Sequence, residues 1–221
     1  MDISMFERLD RPSVTAILHV QYRMNGPIAE LANKYTYNGS LQCANNTVKH
    51  ATLKLNKTKV DDEWCQDIVS SDLNKSVLLL DTGTVNSNST DTNLIEIKII
   101  RKIVLLLIQG GLLAKSIGII APYRAQVTLL KNEMDSMYSD IEVSTVDQYQ
   151  GRDKEVIIYS CTRNTIAKDV GILNDKRRIT VAITRAKHKL IMIGDVTIMK
   201  NYETFNSLFS HITNIIKLPQ M

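Results

Sequence analysis

The sequence is short of several things, and each shortage removes a class of protein. Its 221 residues hold three cysteines, Cys43, Cys65 and Cys161. Their odd number and wide spacing supply neither a disulfide framework nor a metal knuckle. A cubane iron–sulfur cluster held by four thiolates has too few ligands in this chain alone. No apolar run approaches the ~18 residues of a membrane span, so no membrane partner is expected. The opening, MDISMFERLDRP, is too polar for a secretory signal. A net charge of +4 is mild and says little by itself about a polyanionic partner. There is also no GxxxxGK[ST] loop and no Asp-Glu pair after a strand. The phosphate cradle and magnesium ligands of a P-loop NTPase are therefore missing from this stretch.

What remains is an ordinary globular composition, 44% hydrophobic and 23% charged, long enough for one large α/β domain, or a domain with an insertion, with a real core. The chemistry is concentrated between Ile141 and Asp195. Val156 to Cys161 (VIIYSC) and Leu190 to Ile193 (LIMI) read as strands buried on both faces of a parallel sheet. Glu142 to Thr145 ends a third strand. The polar residues sit where each strand should end, and in open α/β sheets ligands gather there. Thr145 to Asp153 is thus either a ligand loop or a polar surface turn. Gly151 within it permits positive φ or close backbone approach.

At 100° per residue, Ile179, Ala182, Ile183 and Ala186 fall on one face, predicting a helix from Arg178 to Ala186. Arg178 and Arg185, seven residues apart, would share a flank about 10 Å apart. Between Arg152 and Lys189 there are ten Lys/Arg against four Asp/Glu. Two guanidinia on one flank suit a phosphate. For Arg178 a solvated basic face is the simpler reading; Arg185, lodged among apolar residues, points to function.

Elsewhere the reading is plainer. Ile17 to Val20 is a strand, with Gln21-Tyr22-Arg23-Met24 at its end, and Gly26-Pro27 starts a helix to about Tyr35. Cys43 to Lys75 is polar and irregular. Val77 to Leu80 is a buried strand, and Asp81 to Asn93 (DTGTVNSNSTDTN) is expected to be a mobile loop. Leu94 to Gln109 is a core-packing helix closed by Gly110-Gly111. Ile117 to Ala121 is a strand running into Pro122-Tyr123-Arg124, which begins another helix; its free N–H groups suit an anion, or the Pro-Tyr corner is structural. Thr145 and Gln150 carry the same pair of readings, and Arg163 either reaches phosphate or pairs with Asp169. Asn201 to Ile216 is expected to be one docked helix, with its aromatics in the core.

Four stretches resemble the motifs of superfamily 1 helicases. HVQYRMNGPIAEL (His19 to Leu31) is similar to motif IV, and IGIIAPYRAQ (Ile117 to Gln126) to the connecting strand and helix. STVDQYQGRDKEVIIYSCTRN (Ser144 to Asn164) resembles motif V, and RRITVAITRAKHKLIMIGD (Arg177 to Asp195) resembles motif VI. Their order and spacing match the second RecA-like domain of the 5′-to-3′ branch, over about residues 6 to 195. Finer details lean to the eukaryotic DNA replication helicase/nuclease type. The RNA-decay type usually has Phe where Tyr149 stands, Glu for Asp153 and Tyr for His188.

The resemblance implies an α/β RecA-like three-layer sandwich with a mainly parallel sheet and no P-loop. Residues 1–16 would be a linker from an upstream domain and 17–200 the helicase domain, with 43–76 a variable connection and 81–93 the loop. Residues 201–221 would be a C-terminal helix and tail. It implies Arg23 and Arg185 as arginine fingers on the γ-phosphate of ATP, with Tyr22, Gly151, Asp153 and Arg178 at the nucleotide. The shorter Asp153 makes a ribose contact less direct than the glutamate of relatives. Tyr22 could equally be an amphipathic residue packed at a domain edge. Pro122, Tyr123, Thr145, Gln150 and Arg163 would face single-stranded DNA. Magnesium ligands and an iron–sulfur nuclease would lie elsewhere in a longer relative, acting in DNA replication and repair in the nucleus, with the mitochondrion as a second compartment. The other readings are an RNA helicase of the RNA-decay type and a non-catalytic nucleic-acid-binding fragment. The missing cradle predicts that the purified chain alone has no ATPase turnover; measurable phosphate release from homogeneous protein would contradict this.

Overall fold

The computed structural model describes residues 5–11, 13–56, 60, 62–84, 89–166 and 171–219. The strands are β1 (Val20–Gln21), β2 (Gln42–Cys43), β3 (Val77–Asp81), β4 (Ile117–Ala121), β5 (Glu142–Thr145), β6 (Lys154–Ser160), β7 (Ala186–Gly194) and β8 (Ile215–Lys217). The helices are α1 (Met5–Leu9), α2 (Gly26–Ala32), α3 (Asn46–Lys49), α4 (Glu63–Val69), α5 (Leu94–Gln109), α6 (Arg124–Asp135), α7 (Lys176–Ile183), α8 (Val196–Met199) and α9 (Glu203–Phe209). Six strands form one sheet in the order β5-β4-β6-β7-β3-β8, and every pairing in it is parallel. β1 and β2 make a separate parallel pair.

Strand alternation divides the core in two. Leu79, Ile120, Ile157, Tyr159, Leu190 and Met192 face one side, where they meet α2, α7, α8 and α9. Leu78, Leu80, Ile119, Ile158, Ile191 and Ile193 face the other, against α4, α5 and α6. Both faces are covered, which is why the strands read as continuous apolar runs. The result is a three-layer α/β sandwich with a parallel sheet, as the RecA-like resemblance of the motifs implied.

Several local expectations change. The helix read over 178–186 runs from Lys176 to Ile183, started by the Asp175 side chain on the N–H groups of Arg177 and Arg178. Ala186 opens β7 instead. The apolar spacing that suggested one helix joins a helix to a strand. The expected tail helix stops at Phe209, and residues 215–217 pair with β3. Asn214 drives that switch: its side-chain amide donates to Asn74 O and Val77 O, and its carbonyl accepts the Leu79 N–H. An unpaired strand edge needs hydrogen-bond partners. The strand expected over 17–20 shrinks to Val20–Gln21. The stretch taken as irregular carries α3 and α4, which buries Trp64 and Ile68 beneath α5.

One buried lysine, its pKa lowered to about 7 above all by burial, ties that region down. Lys189 is 1% exposed and donates to Asp67 O, Ile68 O and Ser70 O at 2.7, 2.8 and 3.0 Å. The ammonium thereby caps the carbonyl end of α4, where the helix dipole is negative. Lys189→Met keeps the stem but strands these carbonyls, and should lower the unfolding free energy by about 2–4 kcal/mol. Urea denaturation checks it; an unchanged midpoint would contradict the capping role.

Candidate functional site

In a parallel sheet all strands begin on one edge and end on the other, and polar side chains gather at both. At the amino edge, Arg23 arrives from the turn after β1. The Gln21 side chain shapes that turn: Oε1 accepts the N–H groups of Arg23 and Met24, and Nε2 donates to Met24 O. Asn25 then caps α2 and, fully buried, donates through Nδ2 to Ala51 O, Ser76 Oγ and His188 O. The turn is thus pinned to β7.

From this anchorage Arg23 Nε meets Asp153 Oδ2 at 3.2 Å and Nη1 donates to Thr184 O at 3.2 Å. Arg185, in the turn between α7 and β7, donates to Val181 O (2.9 Å), Thr184 Oγ1 (3.0 Å) and Arg152 O (3.4 Å). Lys187 Nζ meets the other Asp153 oxygen at 2.7 Å. One carboxylate bridges two cations, and one threonine touches both arginines. Burial works to raise the Asp153 pKa, but Lys187 and then Arg23 outweigh it and hold it below the usual value. Burial, and next the Arg23 charge, lower that of Arg185, which still carries its charge at any ordinary pH. Crowding two guanidinia with a single carboxylate leaves a net positive rim suited to an anion rich in oxygen.

Tyr22, one residue before Arg23, is 75% exposed. Gly151, two residues before Asp153, has φ +84° and open space where a side chain would stand. These five residues, Tyr22, Arg23, Gly151, Asp153 and Arg185, therefore belong to one rim. Arg178 does not join them. It pairs with Asp147 at 3.1 Å and Asp175 at 3.6 Å near the start of α7, whereas Arg185 lies in the turn beyond the end of that helix and bonds to Val181, Thr184 and Arg152. The shared flank is lost because Arg185 lies beyond the helix. The rim is also at the beginnings of β6 and β7, not at the strand ends where the polar residues were expected.

The carboxyl edge holds the second cluster. Thr145 pairs in register with Ala121, next to Pro122. Tyr123 precedes α6, and its hydroxyl accepts Arg163 Nε at 2.8 Å, with the guanidinium 4.9 Å from the ring centroid. Arg163 is only 5% exposed, so it braces the ring from beneath. Its expected alternative partner, Asp169, lies outside the described residues. Gln150 is exposed beside Gly151, on the segment returning toward the amino edge, apart from Thr145.

Sequence reasoning missed Gln21, Asn25, Thr184 and Lys187. Asn before Gly-Pro is an N-cap signature that marks Asn25. Nothing in the sequence brings Lys187 to Asp153, which depends on the pairing of β6 with β7. Cys43, Cys65 and Cys161 lie on β2, on α4 and just past β6. Among the described residues no group of three His, Cys, Asp or Glu side chains is placed to hold a metal; the donor set does not fit an iron–sulfur cluster. No helix among them is long and apolar enough to cross a membrane.

A family model described as an AAA domain (AAA_12) matches residues 1–197. A Xenopus tropicalis protein, DNA replication ATP-dependent helicase/nuclease DNA2, is 38% identical over 96% of this chain and 22% of its own length. The Homo sapiens protein of the same name is 36% identical over 99% of this chain and 22% of its own. A solved C-terminal domain of a possible DNA helicase from Lactobacillus plantarum overlaps 89% of this chain and 98% of its own at TM-score 0.49 and 9% identity. The chain spans about a fifth of the length of the curated relatives it matches.

The Asp153 bridge has a pH signature. Because its folded pKa is depressed, its stabilisation is present above the ordinary aspartate value of about 4 and is lost as pH falls through the lower folded value. Asp153→Asn should be less stable than the parent at pH 6, and the gap should close in acid. Equal stability at pH 6 would argue against the bridge.

Proposed function

The chain belongs to the AAA_12 family of AAA domains, and from that premise we propose that it is the second motor domain of an ATP-dependent 5′-to-3′ DNA helicase. The convergence of Arg23 and Arg185 around Thr184 and Asp153 carries the reading. Two arginines from chain positions far apart meet at one rim, in a chain without its own phosphate loop. ATP would be held mainly by an upstream RecA-like domain, which would also supply the magnesium ligands. This domain would close on the triphosphate from the other side.

The chemistry asked of the rim is electrostatic. As the bond to the γ-phosphoryl group breaks, negative charge spreads over its oxygens, and guanidinium groups in a low-dielectric seam offset it. Asp153 keeps Arg23 extended before nucleotide arrives, and Lys187 stops that carboxylate from neutralising the arginine completely. Gly151, bare and at positive φ, allows backbone to approach the nucleotide, and Tyr22 offers an exposed ring for the base. Single-stranded DNA would lie across the opposite edge, over Thr145 and Tyr123, with Pro122 itself buried. The seven residues of β6 place that edge roughly 20 Å from the clamp. Closure at the nucleotide would then displace the strand-binding edge as a rigid body.

The relatives' names point to DNA, and the Tyr149, Asp153 and His188 choices agree with that branch. A role in replication and repair, and a nuclear location, follow from the same kinship. No step involves an iron–sulfur cluster in this chain.

In the chain joined to its upstream domain, Arg23→Ala or Arg185→Ala should reduce ATP turnover roughly a thousandfold, with single-strand affinity changed far less. Steady-state phosphate release and oligonucleotide binding measure the two. Retained turnover in both variants would refute the clamp. Strand binding indifferent to ATP would reassign the chain to a non-catalytic binding module, and preferential unwinding of a matched RNA duplex to the RNA-decay type.

A further inference from the structure

Behind the carboxyl edge lies a buried polar network that the clamp does not use. Glu96, in the first turn of α5, is completely buried. Its Oε1 accepts Asn93 Nδ2 at 3.1 Å, both oxygens accept the Thr162 N–H at 3.0 Å, and Oε2 bonds the Ser160 hydroxyl. Gln126, in the first turn of α6, accepts the Asn93 N–H at 2.9 Å and donates to Asn93 O and Ser160 Oγ at 3.2 and 3.1 Å. Three elements are therefore bolted together at one point: the start of α5, the start of α6 and the end of β6.

The bolt holds a strained turn. Thr162 has φ +70°, a conformation that a β-branched residue adopts only when its surroundings impose it. Its N–H is held by Glu96, and the next residue is Arg163, which seats itself against Tyr123. We propose that Glu96 is the positioning residue of the strand-binding edge: its carboxyl imposes the Thr162 turn that braces Arg163 against the Tyr123 ring, where a single strand of nucleic acid would stack. This rests on the assignment of the carboxyl edge to the nucleic acid.

The groups facing Glu96 bear on its charge. Asp195 beyond β7 is completely buried, with Oδ2 lacking a partner among the described residues. Tyr159 of β6 and Cys161 just past it stay neutral, each pushed up first by burial. Burial above all pushes Glu96 up to about 8; the Ser160 and Thr162 bonds pull it down and Asp195 pushes it up. A carboxyl raised in this way keeps its proton in the folded chain. Its contribution to stability is fullest below the ordinary glutamate value and is lost as pH rises to about 8. Above that, a buried negative charge stands behind a surface meant for phosphates.

The test is anisotropy of a labelled oligo(dT) strand on the purified chain, from about pH 6.5 to about pH 9, bracketing the Glu96 transition. Glu96→Ala should weaken binding roughly tenfold, as loss of one stacked base would. Glu96→Gln, which imitates the neutral acid, should bind like the parent at the lower pH and lack the parent's loss of affinity across the transition. Thermal melts identify any variant that fails to fold; if Glu96→Ala does, the Glu96→Gln profile decides. Tyr123→Ala separates the two readings. If it binds like the parent, the edge is not the strand-binding surface. If it binds weakly while the Glu96 variants match the parent at every pH, Glu96 does not position that edge.

Discussion

A parallel sheet imposes a polarity on this molecule that governs everything attached to it. Every strand of the six-stranded sheet runs the same way, so loops entering strands collect on one edge and loops leaving them on the other. Apolar runs buried on both faces cannot carry exposed chemistry, which leaves the two edges. The segment from Val146 to Asp153 crosses between them, starting beside Thr145 and ending where β6 begins. It is the short covalent link between the two candidate surfaces.

At the amino edge the governing contact is the double ion pair on Asp153. A lone arginine at a surface samples many rotamers, and fixing one costs entropy. Here a half-buried carboxylate and a backbone carbonyl hold Arg23, while Arg185 is held by Val181, Thr184 and Arg152. Arginine forks so restrained are ready for an incoming anion, and Lys187 shares the carboxylate that would otherwise compete with it. In the proposed clamp these side chains are positioned in advance, which is the condition under which electrostatic stabilisation is strongest.

Buried polar groups position the elements that carry these surfaces. Asn25 joins the start of α2 to β7, Lys189 closes α4, and the Glu96–Gln126 network joins α5 and α6 to the end of β6. Each supplies hydrogen bonds that backbone pairing leaves unfilled at helix ends, and each sits a few residues from a candidate functional side chain. Apolar packing gives the sandwich its stability, but these directional contacts set the register of helix ends against strand ends.

Much of this was legible in the sequence. The buried strands, the 94–109 helix, the strand into Pro122 and the positive φ at Gly151 followed from local pattern and backbone sterics, and the motif order identified the sandwich. Local pattern failed where it was ambiguous over one or two turns. Ala186 and Ile216 fit a helical face, yet Ala186 opens the interior strand β7 against β6 and Ile216 lies on the edge strand β8 against β3, where backbone groups needed partners. What only the tertiary structure decided was which charges meet. Arg178 and Arg185 are near neighbours in sequence yet bond to different partners, whereas Arg23 and Arg185 are 162 residues apart and share Thr184. Period and propensity act over a few residues, but the meeting of distant side chains depends on strand order, and strand order is a property of the whole chain.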